Sequence, residues 1–424
     1  MMNRVKINPH LVLFGIFILA FLLRAAGLTD QPPLGDEVAS AFSATNYIDN
    51  GMLGQIMWNH PPLRNYVVFL SEKIFGEYTS WGLRFGNVLL GSLTVLVLGY
   101  LGRALFNNTA GYLSSFFLCI DPLHIAMSRQ AFQESMTPFF IVTAVILSLY
   151  AIRSDRILFC FLSGIFFGLA SASKWHGFLP WAACAVMYLS TPWLIQGQEE
   201  RRSFFQRLIV VIAAYIAVPV AVYTATYIPW ILKGHSMQEF VDLQKWLVVR
   251  QHYHLPSIYD QTILPKNPLY WFLWPTAYPE FVFFEGKPYL TVSMGNFLVW
   301  ALTFPALIYC MKRWWDKKDF AMGFTLVMFM ISYLPLILTK RGIYVFSSPP
   351  VIIFAFILTS YVISVLMDKN KISGKLLASY LGVVVAVTAL MYPMSTARAL
   401  DYKYLEPVTE IYSPHKGETE HIIK

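Results

Sequence analysis

Long runs of apolar residues recur along this chain and limit what it can fold into. The first extends from Leu11 to Leu23, and one of the longest extends from Trp81 to Phe106. Of the 424 residues, 56% are hydrophobic and 13% are charged, whereas about a quarter of the residues in a soluble domain are charged. A chain with so little polar surface to present to water is predicted to be an integral membrane protein with many spans.

The charged residues between the apolar runs predict how the chain is oriented. The runs correspond to about eleven transmembrane helices, and most basic residues fall in every second loop, for example at Arg153 and Arg156. Because basic loops stay inside, the N-terminus is predicted inside and the C-terminal tail outside. We therefore predict an all-α polytopic membrane protein with one transmembrane domain over residues 1–424. Its first outer loop is residues 29–80, and its large outer loop is residues 229–292.

Composition also excludes several classes of partner and site. The net charge of +8 is explained by the loops that orient the helices, so no nucleic-acid partner is expected. The four cysteines lie within or beside apolar runs without CxxC spacing. We expect them to be small buried side chains and expect neither a disulfide framework nor a metal site.

The predicted outer side of the membrane gathers carboxylates and cations from distant parts of the chain. The adjacent pair Asp36 and Glu37 follows the first span directly. Charge inside or beside an apolar helix end is costly and needs a partner or a ligand. The other candidate residues on this side are His60, Arg64, Arg84, His124, Arg129, Glu134, Lys174 and Arg341.

These residue types suit a transfer reaction on an anionic lipid carrier. A carboxylate can take the proton from an attacking hydroxyl, and Arg or Lys can hold a carrier phosphate and stabilise the charge that grows on it. The chain contains no GxxxxGK, HExxH or GxSxG motif, so nucleotide hydrolysis, zinc proteolysis and serine hydrolysis have no support. The alternative for each residue taken alone is structural: a solvated acidic loop, a rigid HPP turn, or a basic side chain that reaches the interface.

At these positions the sequence resembles the protein O-mannosyltransferase family, whose members are membrane glycosyltransferases of the GT-C architecture. The resemblance rests on the acidic pair at Asp36 and Glu37, on HPPL from His60 to Leu63, and on three longer segments. Those segments are WGLRFGNVLLG with Arg84, DPLHIAMSRQAFQESMTPFF with Arg129 and Glu134, and GLASASKWHG with Lys174.

The resemblance implies an inverting, metal-independent transfer of a sugar, with mannose expected, from a polyprenyl or dolichyl phosphate carrier to a hydroxyl. The expected acceptor is protein serine or threonine on the outer face of a prokaryotic cell membrane. Asp36 would be the base and Glu37 would help to position the acceptor, with no cofactor beyond the lipid-linked donor. Arg84, Arg129, Lys174 and Arg341 would hold the phosphate. The remaining candidates for acceptor binding or positioning are His60, Arg64, His124 and Glu134.

Two departures from the family pattern leave the acceptor open. Arg64 and Asn65 follow HPPL where the family often has Gly-Lys, and Glu134 stands where Asp is usual. One alternative is a transferase that acts on a glycolipid or cell-envelope glycan, similar to the aminoarabinose transferases. A second is a non-enzymatic transporter of a lipid-linked sugar. A dimer is also left open.

Overall fold

The structure is a computed structural model that describes residues 8–34, 36–53, 60–191, 202–252, 267–284, 287–339 and 343–398. Helices dominate these ranges, and one pair of strands joins them. The helices are α1 (Pro9–Ala25), α2 (Asp36–Asn50), α3 (Leu63–Phe75), α4 (Ser80–Leu105), α5 (Asn108–Ile120), α6 (Pro122–Ser128), α7 (Gln133–Ser154), α8 (Ile157–Ser173), α9 (Phe178–Leu189), α10 (Phe204–Ala225), α11 (Ile228–Leu232), α12 (Met237–His252), α13 (Phe297–Trp300), α14 (Thr303–Lys317), α15 (Phe320–Leu338), α16 (Pro349–Asp368) and α17 (Gly374–Ser395). The strands are β1 (Ala277–Phe284) and β2 (Lys287–Met294).

The predicted helical membrane fold is confirmed. Within the described residues, seven helices are long and apolar enough to cross a membrane, and an eighth is added if the bent pair α5–α6 counts as one span. Each predicted apolar run overlaps a helix, although several of these helices are short. The number of about eleven spans and the orientation of the termini stay predictions.

The helices fall into an inner and an outer set. Most side chains of α7 and α16 are buried, and α16 packs against α5, α14 and α15. By contrast, α1 and α17 expose large apolar side chains such as Phe14 and Leu390. Apolar surface on a helix of this length is what lipid requires, so α1 and α17 lie at the periphery of the bundle.

Local sequence explains where several helices begin. The side chains of Asn8, Thr79 and Asn107 each accept a hydrogen bond from a backbone N–H in the first turn of the following helix. Proline occupies the first position of α6 and α16, where its fixed φ favours a helix and its missing N–H costs nothing. Capping residues and prolines therefore determine where these helices begin, which the apolar composition alone would not define.

The position of DPLHIAM directly after an apolar run predicts an outer turn, but the segment forms a buried helix. α5 and α6 meet at Asp121 with a bend of 62°. The Asp121 carboxylate accepts hydrogen bonds from the backbone N–H of His124 and of Asn296 and from the Trp300 indole N–H. These contacts tie the break to α13, and they explain why the chain folds back into the bundle at this point.

The predicted first outer loop also contains regular structure. Within residues 29–80, α2 and α3 occupy most of the described positions. The hydroxyls of Tyr47 on α2 and Tyr66 on α3 both donate to the carbonyl of Thr226, at 2.6 and 3.0 Å. The two helices are therefore fixed to the end of α10.

The predicted large outer loop contains a β-hairpin that the helical prediction did not include. β1 pairs with β2 in antiparallel register, with Ala277 opposite Met294 and Glu280 opposite Thr291. Two runs rich in aromatic and β-branched residues flank Glu285 and Gly286 in the sequence, and this pattern is typical of a hairpin. The signal was present, but a search for long apolar runs does not detect it.

One buried carboxyl on α3 makes stability depend on pH. Glu72 is 2% exposed, and burial raises the pKa of its carboxyl above the ordinary value. A raised folded-state pKa contributes stability that is present below the unfolded pKa and is lost as the pH rises through the folded pKa. We expect Glu72→Gln to raise the Tm in detergent at about pH 8 by several degrees and to change it little at about pH 4, close to the unfolded pKa of glutamate. The same substitution at the exposed Glu77 serves as control, and an equal Tm shift for Glu72→Gln at both pH values would contradict this account.

Candidate active site

Five of the ten predicted site residues lie on one short segment or contact it. Residues 129–134, RQAFQE, comprise the link from α6 to α7 and the first two residues of α7, and they are called the connector below. Asn87 on α4 holds the connector in place, because its side-chain amide donates to the carbonyls of Gln130 and Phe132. Glu37, Arg64 and Lys174 each contact a different connector residue. Side chains from α2, α3 and the end of α8 are thereby brought to the same place.

Glu37 is the centre of this arrangement. It is fully buried, and its two carboxylate oxygens accept four hydrogen bonds. The backbone N–H groups of Leu34 and Ala131 each donate at 2.9 Å, and Arg84 donates from Nε at 2.9 Å and from Nη2 at 2.7 Å. One side chain thus joins the start of α2, the connector and α4.

Arg84 uses all its donors within the protein. Besides the two bonds to Glu37, its Nη1 donates to the carbonyls of Leu28 and Gln31, and its Nη2 donates to the carbonyl of Pro32. A guanidinium has five N–H donors, and all five are occupied. The sequence predicted a phosphate contact for Arg84 and acceptor positioning for Glu37. This geometry favours a different role for both, which is to fix the segment that leads into α2.

Arg129 supports the adjacent part of the same segment. It is fully buried, and its Nη1 donates at 2.7 Å to the carbonyls of Arg24 and Ala26. Its Nη2 donates to the carbonyl of Gly27, and its Nε donates to the side chain of Gln31. Four of the five donors of Arg129 therefore hold the chain between α1 and α2, and here too the geometry favours positioning over the predicted phosphate contact.

Lys174 and Glu134 form the second buried ion pair of the site. Lys174 Nζ lies 2.8 Å from Glu134 Oε1 and 3.4 Å from the Ser347 hydroxyl. The Lys174 side chain is 10% exposed and the Glu134 side chain 7% exposed. An ammonium has three donors, and these two contacts use two of them. Lys174 is therefore better placed than Arg84 or Arg129 to hold an anionic group.

Arg64 and His60 approach the connector from the start of α3. Arg64 is buried, and its Nη1 donates to the side chain of Gln133 at 3.4 Å. Gln133 directly precedes Glu134, so Arg64 and Lys174 contact consecutive residues of the connector. His60 is half-buried and immediately precedes the two prolines that lead into α3. The HPP triplet thus positions Arg64 at the site.

His124 is held away from the connector in a separate buried contact. Arg24 Nη2 donates to His124 Nδ1 at 2.7 Å, and other Arg24 donors bind the carbonyls of Leu118 and Cys119. Because the guanidinium can only donate, Nδ1 must accept, and His124 carries its proton on Nε2. The ring thus contacts the end of α1, and a role of His124 in acceptor binding or positioning stays a prediction.

Two predicted site residues lie outside what the structure describes. The side chain of Asp36 and all of Arg341 fall outside the described residues. The backbone of Asp36 is described, and α2 begins there, one residue before Glu37. Whatever the side chain of Asp36 contacts, it starts from a backbone position that Glu37 and Arg84 fix.

Sequence reasoning missed several residues that complete the site. Gln31 and Asn87 are uncharged, so a search for charge did not select them. Arg24 directly follows the first apolar run, where a basic residue is typical of the flank of a span. Glu280 lies on β1, and its carboxylate accepts from the side chain of Gln130 at 3.5 Å. Gln31, Asn87 and Arg24 all lie inside or beside apolar helix ends. Giving every polar residue at such positions the same weight as a charged pair would have selected them.

The Lys174–Glu134 pair gives a stability prediction. Lys174→Met should lower the free energy of unfolding in detergent by about 3–5 kcal/mol, because it leaves a buried carboxylate without its partner. The double variant Lys174→Met/Glu134→Leu should recover most of that loss, since it removes both charges. Lys233→Met, at an exposed lysine, is the control. If the double variant is no more stable than the single one, the ion pair is not the cause.

No group of three His, Cys, Asp or Glu side chains able to hold a metal ion occurs in the part of the chain that the structure describes. The chemistry available at the connector is that of carboxylates, an ammonium and guanidinium groups. The prediction that neither metal nor cofactor takes part stays a prediction.

The bundle of apolar helices has the fold of the GT-C membrane glycosyltransferases. The protein O-mannosyltransferase complex of S. cerevisiae bound to the sugar donor superposes with a TM-score of 0.78 at 12% identity, over 96% of this chain and 92% of that chain. Residues 11–231, more than half of the chain, match the model of the dolichyl-phosphate-mannose-protein mannosyltransferase family. The chain belongs to this family and is a multi-pass membrane protein.

Curated relatives are similar over most of this chain. A polyprenol-phosphate-mannose–protein mannosyltransferase of Mycobacterium tuberculosis is 26% identical over 321 residues, which are 66% of this chain and 57% of the relative. An undecaprenyl phosphate-alpha-4-amino-4-deoxy-L-arabinose arabinosyl transferase of Pseudomonas fluorescens is 24% identical over 403 residues, which are 90% of this chain and 60% of the relative. The chain thus spans about three fifths of the length of these relatives.

Proposed function

We propose that this protein transfers a mannosyl group from a polyprenyl or dolichyl phosphate carrier to a serine or threonine hydroxyl of a protein, on the outer face of the membrane. The observation that carries the proposal is the buried network in which Glu37 joins Arg84 and the connector directly after the acidic residue Asp36. The family match and the relatives named as protein mannosyltransferases agree with it.

In the proposed reaction, Asp36 takes the proton of the acceptor hydroxyl. The hydroxyl oxygen forms a bond to the anomeric carbon of the sugar as the bond between that carbon and the phosphate oxygen breaks. The carrier phosphate leaves with both electrons of that bond, and the sugar is transferred with inversion. Much of the rate enhancement in such a reaction comes from holding the base and the leaving group in line.

The cations divide into two roles in this proposal. Lys174 stabilises the charge on the leaving phosphate, and Arg341 and Arg64 are proposed to assist it. Arg84 and Arg129 act through other residues, because their donors hold the segment from 24 to 37. Fixing that segment in advance avoids the cost of ordering it when the substrates bind.

The test is transfer of label by the purified full chain in lipid vesicles. Polyprenyl-phosphate mannose with a tritiated sugar is offered together with a serine- and threonine-rich peptide or with a glycolipid. We expect label in the peptide that alkali releases by β-elimination, with the anomeric configuration opposite to that of the donor. Binding of the donor without transfer to either acceptor would overturn the proposal in favour of the transporter.

A glycolipid or cell-envelope glycan is the second candidate acceptor. It is favoured by the similarity to the arabinosyl transferase of Pseudomonas fluorescens, which extends over 90% of this chain. The same base and the same leaving-group site would serve this reaction. Label in the glycolipid and none in the peptide would establish this candidate instead.

A further inference from the structure

The β-hairpin has one apolar face that anchors it to the bundle. Side chains alternate along a strand, and directly paired residues of an antiparallel pair share a face. The register places Ala277, Leu290 and Val292 on one face, where they form an apolar cluster with Met294 and with Met394 of α17. The apolar face of the hairpin therefore packs on α17, and the opposite face points away from α17.

The opposite face of the hairpin is polar at its end away from the turn, and part of that end is buried. It carries Tyr278 and Glu280 on β1 and their direct partners Ser293 and Thr291 on β2. Ser293 and Thr291 are fully buried, and neither hydroxyl has a hydrogen-bond partner within the described ranges. Since buried polar groups in native proteins are nearly always hydrogen-bonded, two such hydroxyls side by side point to a polar ligand.

This polar face adjoins the candidate active site at two places. Glu280 accepts from Gln130 of the connector at 3.5 Å, and the side-chain carbonyl of Gln130 is buried without a partner of its own among the described residues. The ring of Tyr278 lies 4.9 Å from that of Phe346. Phe346 directly precedes Ser347, which contacts Lys174. The face thus contacts the connector through Glu280, and through Tyr278 it contacts the residue next to the Lys174 partner Ser347.

A sugar ring matches the chemistry of this face. Its hydroxyls both donate and accept, as the Thr291 and Ser293 hydroxyls do, and a carboxylate accepts from two of them at once. Its C–H surfaces pack on an aromatic ring such as that of Tyr278. We propose that the polar face of the hairpin binds the sugar of the lipid-linked donor and sets the preference for one hexose over another. This inference rests on the proposed function, and it assigns the sugar to residues that the reaction scheme does not use.

The acceptor peptide is the other ligand that a hairpin can bind. An added peptide strand would pair with backbone groups at a strand edge, whereas the unpaired groups here are side-chain hydroxyls on a face. The sugar is therefore favoured, and an effect on the acceptor becomes an outcome that the test must separate.

The test compares donor binding with and without the sugar. The full chain in detergent is titrated with polyprenyl phosphate and with polyprenyl-phosphate mannose. We expect Thr291→Val and Glu280→Gln each to weaken binding of the sugar-bearing carrier about tenfold, which is the loss of roughly one hydrogen bond. Binding of the bare carrier should not change. Thr291→Val should also raise the Tm of the ligand-free protein, because valine fills the same volume without a hydroxyl that needs a partner.

Thr359→Val is the matched control, since Thr359 on α16 is also buried with a hydroxyl that has no partner among the described residues. It should raise the Tm and leave both titrations unchanged. Equal weakening of bare and sugar-bearing carrier by the hairpin variants, unchanged binding of both, or a higher KM for the acceptor alone would each overturn the inference. Wild-type transfer of label is measured in parallel. If the wild type transfers and the variants bind normally, only this inference fails, and if the wild type does not transfer, the proposed function fails.

Discussion

Replacing Arg84 by methionine is expected to abolish sugar transfer and to lower the free energy of unfolding by about 3–5 kcal/mol. The substitution removes five hydrogen bonds and leaves the Glu37 carboxylate buried without its cation. It also frees the segment that leads into α2, so Asp36 loses its fixed position even in molecules that stay folded. The measurements are the Tm in detergent and the initial rate of transfer from labelled donor.

Two further variants separate the geometry of Arg84 from its charge. Arg84→Lys keeps the positive charge but cannot reach Glu37 and three carbonyls at once, because an ammonium is a compact donor and not a planar fork. We expect it to lose at least tenfold in transfer rate. Arg103→Met is the control, since Arg103 lies on the same helix, is half-buried and has no part in the site. Wild-type transfer by Arg84→Lys would show that charge alone matters and would contradict the positioning role.

The sequence was sufficient for the class of fold, and it selected several of the buried charged residues that meet near the connector. The apolar runs predicted the helices because a membrane leaves few alternatives to them. Charges beside apolar helix ends selected Glu37, Arg84, Arg129 and Lys174, because such residues need partners. In the structure, Glu37 and Lys174 form hydrogen bonds with connector residues, and Arg84 binds Glu37. Arg129 is the first residue of the connector.

The partners of these residues were harder to predict than their need for partners. An arginine in an apolar helix needs partners for five N–H donors, and the sequence does not say whether carbonyls or a phosphate supply them. In Arg84 and Arg129 the partners are mainly carbonyls of residues 24–32, which a search for opposite charge does not identify. The same limit explains why the sequence predicts an outer turn where the structure has the buried bend at Asp121.

The hairpin was missed for a different reason. A two-stranded hairpin is short, and its alternating pattern is weak beside helices of about twenty residues. Its polar face becomes conspicuous only when the register pairs Glu280 with Thr291 and Tyr278 with Ser293. These four residues carry no signal in the sequence, and only the strand pairing shows that they share one face.

The central claim is that a carboxylate at the start of α2, fixed by Glu37 and Arg84, takes the proton of the acceptor hydroxyl. The most direct test is the rate of a single turnover by Asp36→Asn with saturating labelled donor and acceptor, beside the control Asp49→Asn at an exposed position near the end of the same helix. We expect Asp36→Asn to slow the turnover by about 10²- to 10⁴-fold with donor affinity unchanged, and we expect Asp49→Asn to behave as wild type. Turnover by Asp36→Asn at the wild-type rate would contradict the account.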